Sequence, residues 1–94
     1  MVTKFRMGRL VATPSVALKM NQDEKFREFV SKSLKRHSEG DWGDVCASDK
    51  ALNDKSLKIG DRVLSAYESD GLPKIWIITE WDGSVTTILF PEEY

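Results

Sequence analysis

The sequence predicts an α+β fold, in which two main helices pack on an antiparallel sheet of three to four strands ending in a C-terminal β-meander. Three observations carry this reading. Between Thr13 and Gly60 apolar residues recur at three- and four-residue steps, the period of a helix face. From Asp61 onward the period changes from helical to alternating, the period of a strand. Asp70-Gly71 and Asp82-Gly83 then fall between the alternating runs, where hairpin turns need positive φ.

Taken in order, Lys4 to Val11 reads as a first strand, with Phe5, Met7, Arg9 and Val11 on one side and Gly8 allowing a bulge or a close backbone approach. Thr13-Pro14 is a helix start, because Thr can cap and Pro loses nothing at the first helical position; a short turn of helix to Leu18 follows. Asn21 to Asp23 supplies the next cap. Phe26, Phe29, Val30, Ser33, Leu34 and His37 then form the apolar stripe of an amphipathic helix ending near Ser38. Lys35 and Arg36 sit in its last turn, where the helix dipole favours cations, and Gly40 suits the left-handed residue that stops it.

Ser48 is expected to cap a second, shorter helix with Ala51, Leu52 and Leu57 as its apolar side and Gly60 as its end. Arg62 to Glu68, Lys74 to Glu80 and Ser84 to Phe90 are the three meander strands. Ile75-Trp76-Ile77-Ile78 in the middle strand is apolar on both faces, so this strand is central, with helices over one face and something else over the other. Pro91 ends the last strand, and Glu92, Glu93 and Tyr94 either dock into a basic groove, such as one on the N-terminal half of the same chain, as a clasp, or form a disordered tail.

Ninety-four residues with 40% hydrophobic and 31% charged content make one domain, residues 1–94, near the size at which a single core just offsets chain entropy. The single Cys46 cannot form an internal disulfide, and one Cys with one His gives no side-chain set for structural zinc. No metal and no cofactor is expected. The apolar stretch from Leu10 to Leu18 is broken by Thr13-Pro14-Ser15, too short for a signal sequence, and no run approaches a membrane span. A cytoplasmic location follows as the expectation.

The net charge of −1 hides a split: residues 1–38 carry nine bases and three acids, residues 39–94 five bases and twelve acids. Such a split marks either a basic surface for nucleic acid or an acidic partner or, as is favoured, two halves that neutralise each other on folding. Nucleic acid is disfavoured as a partner, since aromatics are not interleaved with Lys32, Lys35 and Arg36 and the acidic half repels a polyanion.

Candidate functional residues concentrate in the segment from Arg36 to Asp44. His37 is the one side chain that titrates near neutrality, and beside Glu39, Asp41 or Glu80 it has the makings of an acid–base pair. Its place on the apolar stripe argues instead for a packed histidine. Trp42, between Gly40 and Gly43, is either an exposed anchor for a partner or a plug between helices and sheet, and the plug is favoured. Asp41 and Asp44 read as closing Asx turns rather than binding metal. Trp76 and Ile78 project to one side of the middle strand and, unless a helix covers them, make a sticky patch that favours dimerisation, with core burial as the leading alternative. Arg36, His37, Asp41, Trp42, Asp44, Trp76 and Ile78 are therefore the candidate interaction surface, and no residue is assigned a catalytic role.

The blocks Arg36-His37, Gly40-Asp41-Trp42-Gly43-Asp44, Leu64-Ser65-Ala66-Tyr67, Lys74-Ile75-Trp76-Ile77-Ile78-Thr79-Glu80 and Thr86 to Tyr94 resemble, in order, a family of small uncharacterised bacterial proteins. Members are often labelled plasmid-related or lie near mobile elements. The resemblance implies a bacterial cytoplasm and carriage on plasmids or phages, and it brings no catalytic residues. Helices followed by an antiparallel sheet also resemble RelE and barnase-like ribonuclease toxins, which would make Arg62, Tyr67, His37 and Glu80 the candidates for RNA cleavage. The expectation drawn from the whole is a small non-enzymatic protein-interaction module that binds another protein or forms a homodimer, with a ribonuclease-like toxin or RNA-binding module as the alternative.

Overall fold

The computed structural model describes residues 5–94. The predicted strand start at Lys4 lies outside the described residues. Of the segment read as a first strand, Arg9–Ala12 forms β1, followed by α1 (Pro14–Gln22), α2 (Glu24–Ser38) and α3 (Ala47–Ile59). The chain then runs through β2 (Val63–Ser69), β3 (Leu72–Thr79) and β4 (Val85–Leu89) to a closing 3₁₀ turn at Pro91–Glu93.

The hairpins put β2, β3 and β4 side by side and antiparallel, as the turn residues require. β1 departs from the expectation. It pairs parallel with β4, in the register Arg9 to Val85 through Ala12 to Ile88, so the sheet is mixed and its order is β1-β4-β3-β2. The antiparallel sheet with two main helices is thus corrected to three helices on a mixed four-stranded sheet. A turn fixes the direction of the strands that it joins. β1 reaches its partner only after all three helices and two hairpins, and local pattern carries no information about that pairing.

The short helical turn expected after Pro14 is a complete helix of nine residues. Thr13 caps it as expected, its Oγ1 accepting from the Val16 N–H at 3.3 Å. α2 is capped by Asp23, whose Oδ1 accepts from Lys25 and Phe26, and it buries Phe26, Val30, Ser33 and His37. Gly40, Gly60, Gly71 and Gly83 all take positive φ where a helix or strand ends.

α3 differs from its prediction in two respects. It starts at Ala47 with Cys46 at the cap position instead of Ser48. Its buried residues are Asn53 and Ser56, while Leu52, placed on the apolar side by periodicity, is exposed. The reason for Asn53 is its position: α3 runs along the outer edge of β2, where the Asn53 amide meets the backbone of Leu64.

α1 and α2 cover one face of the sheet. Val16, Phe26 and Val30 meet Tyr67, Ile75, Ile77 and Ile88 there and form the core. Phe90 packs on Phe26 at 5.9 Å between ring centres and closes the end of this core. No helix among the described residues is long and apolar enough to cross a membrane.

Candidate functional site

The segment after α2 is held by a chain of short contacts. The Arg36 guanidinium grips both carboxylate oxygens of Asp41, Nε to Oδ2 at 2.8 Å and Nη2 to Oδ1 at 3.2 Å, and lies over the Tyr67 ring. This pairing holds the Asp41 carboxyl below, and the Arg36 guanidinium above, their ordinary pKa values. The Tyr67 hydroxyl donates to the Asp41 carbonyl at 2.7 Å, and burial pushes its pKa well up. Asp41 Oδ1 also accepts from the Gly43 N–H at 3.1 Å, the expected Asx turn. Asp44 makes a different contact. Its Oδ2 accepts from the Glu68 N–H at 2.9 Å, across the gap to β2.

These contacts acquire a purpose at the edge of β2. The Ala66 N–H donates to the Trp42 carbonyl at 3.3 Å and the Asp44 N–H donates to the Ala66 carbonyl at 2.7 Å, so residues 42–44 run beside β2 as a short parallel rung. Next along the edge, the Asn53 amide takes both backbone groups of Leu64. Leu64 and Ala66 are thereby served through both backbone groups and Glu68 through its N–H. An open edge strand is a template for aggregation, and this one is closed by the segment from Asp41 to Asp44 together with α3. Gly43 is required at this approach: a Cβ there would lie 2.1 Å from the Ala66 carbonyl oxygen, and its φ is +73°. Trp42 is the plug, 3% exposed, with its indole N–H donating to Asp54 Oδ1 at 3.0 Å.

His37 is fully buried and spans two strands, Nδ1 meeting Ser65 Oγ at 2.5 Å and Nε2 meeting Thr79 Oγ1 at 2.8 Å. Thr79 meets Thr86 at 2.8 Å, and Thr86 donates to the Met7 carbonyl at 2.6 Å. The carbonyl can only accept, and this sets the direction of every bond in the chain. Thr86 spends its one proton on Met7, so Thr79 donates to Thr86. Thr79 has none left for the ring, so Nε2 carries the proton, and Nδ1 accepts from Ser65. The neutral Nε2–H tautomer follows. Burial without a nearby charge lowers the His37 pKa to about 4. The rings of Phe5 and Trp42 stand edge-on to it at 5.4 and 5.6 Å.

Chemically, a serine donating to a histidine is the start of a nucleophile, but neither Ser65 nor His37 has any exposed surface and no carboxylate orients the imidazole. The acid–base pairs considered for His37 with Glu39, Asp41 or Glu80 are not formed. The four residues suggested by the ribonuclease likeness are not brought together either. His37 and Tyr67 are buried between the sheet and α2, whereas Arg62 reaches Tyr94 on the opposite face and Glu80 lies at the end of β3. Among the described residues no group of three His, Cys, Asp or Glu could hold a metal ion.

The face of the sheet opposite α1 and α2 holds the other two candidates. Strand register places Val11, Thr87, Ile78 and Leu64 in one row and Leu89, Trp76 and Ala66 in the next. Ile78 is 5% exposed and so belongs to the core, as the alternative reading had it, while Trp76 is half-buried. Tyr94 lies on this face, its ring edge-on to Trp76 at 5.5 Å and its hydroxyl bonded to Arg62 Nη2 at 2.6 Å. The expected C-terminal clasp exists, but it closes on Thr13 and Arg62 rather than on a basic groove, with Glu93 Oε1 accepting from Thr13 Oγ1 at 2.8 Å.

Sequence reasoning did not single out Ser65, Thr79, Thr86 and Asn53. A signal existed for the first three, since each hydroxyl stands at a core-facing register position in a strand otherwise filled by apolar residues. Asn53 had none. No family model, no curated protein and no solved structure matches the chain.

Proposed function

We propose that this chain is a small non-enzymatic protein-interaction module, carried by a bacterial plasmid or phage and working in the cytoplasm, that binds a protein partner through the sheet face opposite α1 and α2. The observation that supports this reading is the double row from Val11 to Leu64 and from Leu89 to Ala66, apolar at most positions, in which Val11, Leu64 and Trp76 stay half-buried and Tyr94 lies against Trp76. Apolar faces of this kind are what soluble proteins use to meet one another. The exposed free Cys46 fits a reducing compartment, and the likeness in sequence blocks described above supplies the mobile-element context. Trp42 and the residues around it, first grouped with this surface, are left out of it because they are occupied in closing the edge of β2.

A second copy of the chain is the occupant to test. Sedimentation velocity over a wide concentration range should reveal self-association that Trp76→Glu weakens. A protein that stays monomeric throughout, with Trp76→Glu indistinguishable from it, would overturn the reading.

A further inference from the structure

We propose that the cavity between the C-terminal end of α3 and the β3–β4 hairpin binds a guanidinium cation, either that of a small free molecule or that of an arginine side chain. The site lies at the end of the sheet, clear of Trp76 and Tyr94, and does not depend on the interaction face.

The cavity has a volume of about 180 Å³. With about 30 Å³ for each water in the liquid, that admits a planar cation and part of an aliphatic stem. Trp81 forms one wall and is 67% exposed, an indole that the fold does not use for its own packing. Three carboxylates, Asp61, Glu80 and Asp82, line it against one guanidinium, Arg6. Asp82 is already served by Ser84, whose N–H donates to Oδ1 at 3.0 Å. Asp61 accepts from the Arg62 N–H through Oδ1. Glu80 is half-buried and its carboxylate has no hydrogen bond and no ion pair among the described residues.

An independent observation points the same way. Ser56 also lines the cavity, is 3% exposed, and its hydroxyl makes no hydrogen bond within the described structure. No side-chain polar atom among the described residues is both buried and without a partner, so this hydroxyl keeps some surface open to the cavity, where a bound group can meet it. An unpaired carboxylate, an unused indole face and an unanswered hydroxyl around one space match what a guanidinium needs: two parallel N–H bonds to a carboxylate, a stacking surface, and an acceptor for a remaining N–H.

The test is a ¹H–¹⁵N NMR titration of the whole chain with Nα-acetyl-arginine amide, with the matching citrulline amide as an uncharged control of the same shape. Saturable shifts confined to Ser56, Asp61 and the segment from Thr79 to Gly83 are expected with the arginine compound alone. Glu80→Gln, at a half-exposed strand end, should keep the spectral dispersion and weaken binding about tenfold. Ser56→Ala should weaken it less. Methylguanidine separates the two sources: tighter binding of the arginine amide points to a side chain presented by a protein, and equal binding to a small free guanidine. Shifts that are scattered or fail to saturate, equal shifts with citrulline, or an affinity untouched by Glu80→Gln would each overturn the proposal.

Discussion

The side chain of Asn53 pairs with the backbone of Leu64 as a neighbouring strand would, Nδ2 donating to the carbonyl at 2.7 Å and Oδ1 accepting from the N–H at 3.2 Å. One residue of α3 thus supplies a full rung of ladder to the edge of β2. Asn53→Leu, similar in size, leaves both Leu64 groups unanswered in a partly buried place. A loss of roughly 2–4 kcal/mol in urea unfolding is expected, with a greater tendency to aggregate because the edge is reopened. Wild-type stability in this variant would show that water replaces the amide without cost.

Stability should fall with acid in a window set by His37. Its folded pKa is lowered to about 4 from 6.5, so above pH 6.5 both folded and unfolded chains hold it neutral and its contribution is complete. As the pH drops from there toward 4 the unfolded chain takes up a proton that the folded chain refuses. The contribution is lost through that window, by roughly 3 kcal/mol at most. Urea midpoints at pH 7 and pH 4.5 measure it, and ring ¹⁵N shifts should report the Nε2–H tautomer throughout. An imidazole that titrates near 6.5 in the folded protein would contradict the buried network.

Two glycines with the same φ separate strain from crowding. Gly60 at +73° has nothing within 4 Å of an added Cβ, so Gly60→Ala should cost about 1–2 kcal/mol for the left-handed backbone alone. Gly43→Ala adds a clash with the Ala66 carbonyl and the Tyr67 ring. It should cost at least 2 kcal/mol more than Gly60→Ala and expose the β2 edge. Equal destabilisation of the two variants, measured by chemical denaturation, would mean that residues 42–44 leave β2 readily.

Tyr94 is exposed and held by Arg62, so its contribution to stability is small, below about 1 kcal/mol. Its effect should be local. Tyr94→Ala is expected to raise the acrylamide quenching of Trp76 while leaving the unfolding midpoint nearly unchanged, and Arg62→Ala should do the same. The buried Trp42 and the exposed Trp81 provide the internal references.

What the sequence determined by itself is whatever depends on neighbours along the chain. Thr13 and Asp23 cap helices because their side chains reach the next N–H groups, and Asp70-Gly71 and Asp82-Gly83 turn because glycine accepts positive φ. The alternation after Asp61 made β2, β3 and β4 legible together with their antiparallel order. The burial of His37 at the end of the α2 stripe could be read in the same way. Only the tertiary structure decided that β1 lies parallel to β4, that α3 turns Asn53 and Ser56 rather than Leu52 toward the fold, and that Asp44 reaches Glu68 instead of its own turn. These pairings join residues separated by many positions. Their energy comes from satisfying backbone groups at a sheet edge that exists only once the strands have assembled.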